Sequence, residues 1–394
     1  MVKINESLLQ MDENNIFKNV SLKVSEYKKN NLNKKIISLG VGDVSKPIVK
    51  PIIDAMHEAV DDLSNSKTFK GYGAYYGYYF LKEKIIENEY KDFNFSLDEI
   101  YISNGTKTDS TNILELFDIN SKICITNPMY PIYRDGAASL SRKVFLLDIK
   151  DNLPVIPKEK YDIIYICSPS NPMGIAYNRD YLKKWINYAI KNESIILYDN
   201  VYSAFIESED VPKSIYEIKD SKKVAIEFKS FSKNASFTGV RCSYYIIPKE
   251  IKDNINDIWK KRTINRFNGA DYIAQKGALA SFLPESQKLI KDNIKYYKNN
   301  AKLLRKAFSN CNFHFIGGID SPYLWIKIKD NKSSWEIFDF FLKKLNIVII
   351  PGIIFGKNGD NYFRISSLGK RKDVIEAIKR IEKYYNEKNN TSKK

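Results

Sequence analysis

Ser230-Phe231-Ser232-Lys233-Asn234-Ala235-Ser236-Phe237-Thr238-Gly239-Val240-Arg241 is the stretch from which the rest of the chain is read. Two hydroxyls lead into a lysine, and an arginine follows across a small turn containing a glycine. The lysine amine can carry a carbonyl compound as a Schiff base, while the serine hydroxyls and the guanidinium suit a phosphate dianion. A ligand bearing both a carbonyl and a phosphate meets both requirements. A solvated lysine in a serine-rich loop explains an isolated Ser-x-Ser-Lys equally well, so the segments on either side decide.

From Glu99 onward, strand patterns alternate with helical ones. Strands are expected at Ile100–Ser103, Ile123–Thr126, Lys143–Leu147, Ile163–Cys167, Ile195–Tyr198, Val224–Phe228 and Cys242–Ile247. Their β-branched, nearly continuous apolar runs suit strands buried on both faces, which predicts an α/β fold with a mostly parallel central sheet between helices. Ligands of such sheets lie beyond the carboxyl ends of the strands. The polar residues fall there repeatedly. Ser103-Asn104-Gly105-Thr106-Lys107-Thr108-Asp109 opens a helix, where the N–H groups of Thr106 and Lys107 suit an anion, although capping alone accounts for the Ser and Asn. Asn127-Pro128-Met129-Tyr130-Pro131 offers a ring able to stack on a flat ligand. Asn171 stands in the rigid turn Ser168-Pro169-Ser170-Asn171-Pro172, and Asp199 at a strand end is followed by Tyr202. A buried carboxylate there needs a cationic or N–H partner, which a protonated pyridine nitrogen supplies.

The flanks read as follows. Residues 1–35 form an N-terminal arm, 36–283 a large ligand-binding domain, 284–385 a small α+β domain that packs with the arm, and 386–394 a disordered basic tail. Ile36–Asp43 is a short strand breaking into a turn, where Gly40 and Gly42 let backbone approach a ligand. Helices are expected at Pro51–Leu63 and Tyr79–Glu89. The loop between them, Gly71–Gly77, could present phenols to a site or pack between subunits. In the small domain, helices are expected at Pro284–Phe308, Trp335–Leu345 and Asp373–Tyr385, and strands at Asn312–Phe315, Tyr323–Ile328, Ile347–Ile350 and Tyr362–Ile365. Arg364, inside the last of these apolar strands, either pairs an internal acid or is held to bind a ligand carboxylate.

Composition narrows the function classes. The 394 residues, 43% hydrophobic and 13% aromatic, suffice for a large packed domain plus a smaller one. No apolar run of membrane length and no signal-peptide pattern occur, so the chain reads as cytoplasmic and without a membrane partner. Four cysteines stand singly, and the two histidines, His57 and His314, lack acidic or thiol neighbours, which argues against a metal site or a Ser-His-Asp triad. The formal charge of +16 comes from lysines spread over the whole chain rather than gathered in a stripe. That pattern is a compositional bias and argues against a nucleic-acid partner.

With Asp199, Tyr202, Lys233 and Arg241 in that order, and Tyr130, Asn171 and Arg364 around them, the chain resembles the fold-type-I pyridoxal-phosphate aminotransferases, and among them the LL-diaminopimelate aminotransferases. The segments that carry the likeness are ISLGVGD (37–43), GYGAYYG (71–77), SNGTKTD (103–109), SPSNPMG (168–174), SFSKNASFTGVR (230–241), RFNGADYIAQKGALA (266–280) and FRISSLG (363–369). The resemblance implies pyridoxal 5′-phosphate as cofactor, carried by Lys233 as a Schiff base. Asp199 would hold its ring nitrogen protonated, Tyr202 and Asn171 would donate to its ring oxygen, and Tyr130 would stack on it. Ser230, Ser232, Arg241, Thr106 and Lys107 would hold its phosphate, with Tyr72 reaching over from the partner of a homodimer. Gly42, Tyr75, Lys107, Asn171, Asn268 and Arg364 would contact substrate, Arg364 as a bidentate clamp on the α-carboxylate. The implied reaction is ping-pong transfer of an amino group between an L-amino acid and a 2-oxo acid, with glutamate and 2-oxoglutarate as one pair. Two alternatives stay open: another amino-acid specificity, because Tyr75 stands where the family loop G-Y-G-x-E-x-G has glutamate and Lys46 stands at the end of the first glycine turn, where the family favours an acid, and a lyase or decarboxylase on the same fold.

Overall fold

The computed structural model describes residues 2–9, 16–329 and 332–391. The long apolar runs form a seven-stranded sheet: β1 (Ile100–Ser103), β2 (Ile123–Thr126), β3 (Val144–Leu147), β4 (Ile163–Cys167), β5 (Ile195–Asp199), β6 (Ala225–Ser230) and β7 (Ser243–Ile246). Their spatial order is β1-β7-β6-β5-β4-β2-β3. Every neighbouring pair is parallel except those of β7, which runs antiparallel to β1 and to β6. All five residues of β4 but the last, and all six of β6, are buried, as strands covered on both faces must be.

Burial inside β6 extends to charge. Glu227 accepts hydrogen bonds from Tyr90 (2.6 Å), Asn200 (2.9 Å), Ser214 (3.0 Å) and the Ile215 N–H (3.1 Å), and Lys229 pairs with Glu89 at 2.8 Å. A carboxylate taken out of water is tolerable only with such a full complement of donors. The network ties the strand that leads into Lys233 to the helices outside the sheet.

The smaller body is built on a four-stranded sheet, β8 (Phe315–Gly317), β9 (Tyr323–Lys327), β10 (Ile350–Pro351) and β11 (Tyr362–Ser366), in the order β8-β9-β11-β10. The helices Pro284–Asn310, Ser334–Phe340 and Arg371–Thr391 accompany it. Leu304, Phe308, Leu324, Ile326, Phe338, Phe363, Ile365 and Ile381 share its apolar core. Each such side chain contributes about 1.5–3 kcal/mol by leaving water. The arm helix Ile16–Lys29 adds Val20 to that core.

Two expectations are corrected. The short strand expected at the start of Ile36–Asp43 forms at Ile37–Ser38, but it pairs in parallel with Ile347–Val348, so it joins the smaller body although it falls on the large-domain side of the boundary at residue 36. The last helix runs through Thr391, well into the stretch read as a disordered tail, because Asn, Glu and Lys at its end continue a helix despite their polarity. Residues 392–394 of that tail, and Met1 and residues 10–15 of the arm, lie outside the described residues.

Candidate active site

The carboxyl ends of β1, β2, β4, β5 and β6 converge, and the smaller body closes over them, leaving a cavity of about 830 Å³. Gly42, Thr106, Lys107, Tyr130, Asn171, Asp199, Tyr202, Ser230, Ser232, Lys233, Arg241 and Arg364 all line it. Many helices and strands separate these residues along the chain, and the parallel sheet sets their loops side by side.

Lys233 stands in a one-turn helix, Phe231–Asn234, that begins directly at the end of β6 with Ser230 as its cap: the Ser230 hydroxyl accepts from the Ser232 N–H at 3.1 Å. The Lys233 ammonium donates to the Gly42 carbonyl. Burial pushes its pKa down to about 8; Asp43 opposes that shift, and the Arg364 and Arg241 guanidiniums add to it. Asp199 ends β5, buried at 6% exposure, and burial pushes its carboxyl up to about 6 against hydrogen bonds from the Tyr133 hydroxyl (2.5 Å) and the Val201 N–H (3.3 Å). Among the described residues no cation pairs with it, so a buried acid faces the cavity short of positive charge.

At the opposite wall, Arg364 rises from β11. One of its terminal nitrogens donates to Asn171 Oδ1 (2.6 Å) and the other to the Gly40 carbonyl (2.9 Å), while its Nε finds no acceptor among the described residues. Among the described residues, no acid pairs with it as it would with a structural arginine. Its two fixed bonds hold the planar guanidinium in place where it lines the cavity.

The third cluster suits an anion. Ser230 and Ser232 hydroxyls lie 2.9 Å apart, and Arg241 Nη1 donates to Ser232 Oγ at 3.3 Å and to the Thr238 carbonyl at 3.2 Å. Arg241 rests on Gly105: a Cβ there would come within 2.2 Å of Arg241 Nη2, and the glycine's φ of +148° is one that L side chains rarely adopt. Thr106 and Lys107 follow at the start of the helix Thr106–Asn112. Behind them Asp109, hydrogen-bonded by Ser103 (2.5 Å) and Ser243 (3.1 Å), is pushed up to about 7 by burial.

Three expected site residues are not brought to the cavity of their own chain. Tyr72 and Tyr75 are 90% and 43% exposed, and Asn268 is exposed as well. Their loops touch one another, with Gly269 packed against the Ala74 carbonyl, and none of the three lines the cavity. Lys46 is likewise outside, its ammonium 4.4 Å from the centre of the Tyr296 ring. Sequence reading missed Tyr133, whose hydroxyl donates to Asp199, and Tyr323, whose hydroxyl lies 2.8 Å from that of Tyr202. Tyr133 stands three residues beyond Tyr130, in the helix Ile132–Ser139 that follows it, and the two rings meet edge to face at 5.8 Å.

Residues 34–381 match the family described as aminotransferase class I and II. The chain belongs to that family. Among curated proteins, LL-diaminopimelate aminotransferase of Azobacteroides pseudotrichonymphae is 41% identical over 97% of this chain and 99% of its own length. The enzyme of that name from Phocaeicola vulgatus is 41% identical over 98% of this chain and its full length. Among solved structures, the L,L-diaminopimelate aminotransferase from Chlamydomonas reinhardtii superposes with a TM-score of 0.92 at 35% identity, covering 98% of this chain and 99% of that one. The aminotransferase therefore has the fold-type-I architecture that the resemblance implied, and its family generally depends on pyridoxal phosphate.

Proposed function

We propose that this aminotransferase binds pyridoxal 5′-phosphate at Lys233 and moves an amino group between LL-diaminopimelate and a 2-oxo acid, with glutamate and 2-oxoglutarate as the second pair. The observation that carries this is the meeting, in one cavity, of a lysine with a depressed pKa, a buried acid that pairs with no cation among the described residues, and an arginine that pairs with no acid there and whose Nε is left without an acceptor. Each lacks what the cofactor and an amino acid would supply. The near-full-length relatives named for LL-diaminopimelate support that substrate.

When bound, the cofactor serves as an electron sink for the bond broken at the substrate's Cα. Asp199 would accept a hydrogen bond from the ring N–H, and would be the residue whose carboxylate a neighbouring positive charge favours over the protonated form. Tyr202 and Asn171 would hold the ring oxygen through their hydroxyl and amide donors, and Tyr130 would pack on the ring. Ser230, Ser232 and Arg241 bind the phosphate with charge-assisted hydrogen bonds, joined by Thr106 and Lys107. Arg364 takes the α-carboxylate as a bidentate pair, which fixes the Cα–H bond relative to Lys233. With a pKa of about 8, the Lys233 amine is neutral often enough at neutral pH to accept that proton and return it as general acid. A carboxylate clamped by Arg364 stays on the substrate, which disfavours decarboxylation.

The exposed Tyr72, Tyr75 and Asn268 support a homodimer in which these loops serve the partner's cavity. Mixing a Lys233→Ala chain with a Tyr72→Ala chain then restores activity that neither homodimer has, whereas a monomer gains nothing from mixing. Tyr75 favours a second reading, another amino acid in place of LL-diaminopimelate, because a phenol offers a distal ammonium no countercharge. Single-turnover absorbance decides: the holo-protein is mixed in turn with LL-diaminopimelate, glutamate, aspartate, alanine and aromatic amino acids. Rapid loss of the cofactor band with LL-diaminopimelate and glutamate is expected; loss with another amino acid alone refutes the substrate assignment.

A further inference from the structure

Tyr323 is 1% exposed at the start of β9 in the smaller body, and its side chain touches three parts of the site. Its hydroxyl lies 2.8 Å from that of Tyr202, with the two rings edge to face at 5.2 Å and 76°. Its ring carries the Arg364 guanidinium, centred 4.3 Å from the ring centroid. Its hydroxyl also rests on Gly42, where a Cβ would come within 2.4 Å of it, and the Gly42 carbonyl is the acceptor for Lys233.

The chain around Tyr323 is clasped to the segment after β5. The Asp320 carboxylate accepts from the N–H groups of Glu207 (2.7 Å) and Ser208 (3.0 Å) and from the Ser208 hydroxyl (2.6 Å). Lys298 adds a bond to the Phe205 carbonyl (2.6 Å) and an ion pair with Glu207 (3.0 Å). Residues 320–323 thus grip the segment 202–208 at both ends, and the phenol pair is held from two sides.

We propose that Tyr323 is a positioning residue for Tyr202: it donates its hydroxyl proton to the Tyr202 oxygen, so that the Tyr202 proton is left pointing into the cavity. Two hydroxyls that share one hydrogen bond have one donor and one acceptor. With Tyr323 as donor, Tyr202 becomes the stronger donor to whatever sits in the cavity, because a hydrogen bond received polarises the one given. The contact with Arg364 fixes the tilt of the Tyr323 ring, so the carboxylate clamp and the phenol pair are aligned by the same side chain. This inference rests on the proposed function, in which Tyr202 donates to the cofactor's ring oxygen.

Tyr323→Phe keeps the ring against Arg364 and removes only the hydroxyl, whereas Tyr323→Leu removes both. The readouts are the pH titration of the bound cofactor's absorbance and the split between kcat and KM. Weaker donation from Tyr202 leaves the ring oxygen's negative charge less supported, so the titration midpoint of Tyr323→Phe rises by about 0.5 to 1 pH unit, the three- to tenfold effect of one hydrogen bond. Its kcat falls by a similar factor, with KM for the amino acid within about twofold of wild type. Tyr323→Leu, if it folds, raises KM in addition. In the double variant Tyr202→Phe/Tyr323→Phe the second change moves the midpoint no further, because both act through one hydroxyl. A loaded, soluble Tyr323→Phe protein with an unmoved midpoint overturns the inference alone, as does an additive double variant. A wild-type protein with no cofactor band overturns both this inference and the function on which it rests.

Discussion

Replacing Asp199 by Asn separates what stabilises the empty protein from what the chemistry requires. Burial raises the Asp199 pKa from its ordinary 3.8 to about 6, a shift of roughly 2 units, so at neutral pH the ionised form costs the apoprotein about 3 kcal/mol relative to the unfolded chain. The sign follows from the direction of the shift. A carboxyl whose folded pKa is raised is favoured in the folded state while protonated, and that contribution is lost as pH rises through about 6. Asparagine never ionises, so it avoids the cost, but it has one acceptor oxygen where the acid has two. It therefore keeps only one of the bonds from Tyr133 and Val201, a loss of about 1 kcal/mol. The net expectation is an Asp199→Asn apoprotein about 2 kcal/mol more stable than wild type at pH 7.5 and no more stable than wild type below about pH 4. Cofactor-free protein melted across that pH range gives the comparison, each variant against wild type in the same buffer. Adding pyridoxal phosphate should reverse the order, since only the acid gains from a cation beside it. A variant less stable than wild type at pH 7.5, or a difference that does not change with pH, would refute the assignment of Asp199 as a buried acid awaiting a cation.

The other expectations test the remaining walls of the cavity. Arg364→Lys keeps the charge but not the fork, so KM for the amino acid rises about 10- to 100-fold, with a smaller change in kcat, measured by steady-state kinetics against varied donor. Gly105→Ala puts a Cβ where Arg241 Nη2 now lies and must also adopt a φ of +148°, so affinity for pyridoxal phosphate, measured by equilibrium titration of the apoprotein, falls at least about tenfold. Because the neutral Lys233 amine is the reactive form, the association rate of apoprotein with the cofactor rises about tenfold per pH unit at low pH and levels above about pH 8. Stopped-flow absorbance checks this, and a pH-independent rate speaks against Lys233 as the reacting group.

The seven central strands were legible because each is a largely apolar, β-branched or aromatic run, interrupted by charge only at Glu227 and Lys229, and their observed limits differ from the expected ones by at most a few residues. Once they form a mostly parallel sheet, Asp199 and Lys233 have to arrive at one edge, since each follows directly on a strand's carboxyl end. The helices Ile255–Arg266 and Tyr272–Ala280 were not anticipated. The first buries only Asn256, Trp259 and Thr263, which leaves no apolar period to read. In the second, small residues such as Ala274, Gly277 and Ala278 pack closely against Met56 and its helix, a match set by the partner rather than by local pattern. The two-residue strand Ile37–Ser38 was misplaced for a related reason: so short a run fits either sheet, and the contact with Ile347–Val348 decides. Tyr323 owes its role to the contact between the start of β9 and the segment that follows β5, two stretches far apart in sequence. Tyr72, Tyr75 and Asn268 illustrate the opposite limit, because their motif is plain in the sequence while a single chain gives it no cavity to face.

The central claim is that Lys233 carries the cofactor, and covalent trapping tests it most directly. Protein loaded with pyridoxal phosphate is reduced with borohydride, digested, and the peptides are mapped by mass. The account predicts a single stoichiometric adduct on the peptide containing Lys233, absent from Lys233→Ala. An adduct confined to another lysine, or none at all in protein that retains the cofactor's absorbance, would contradict it.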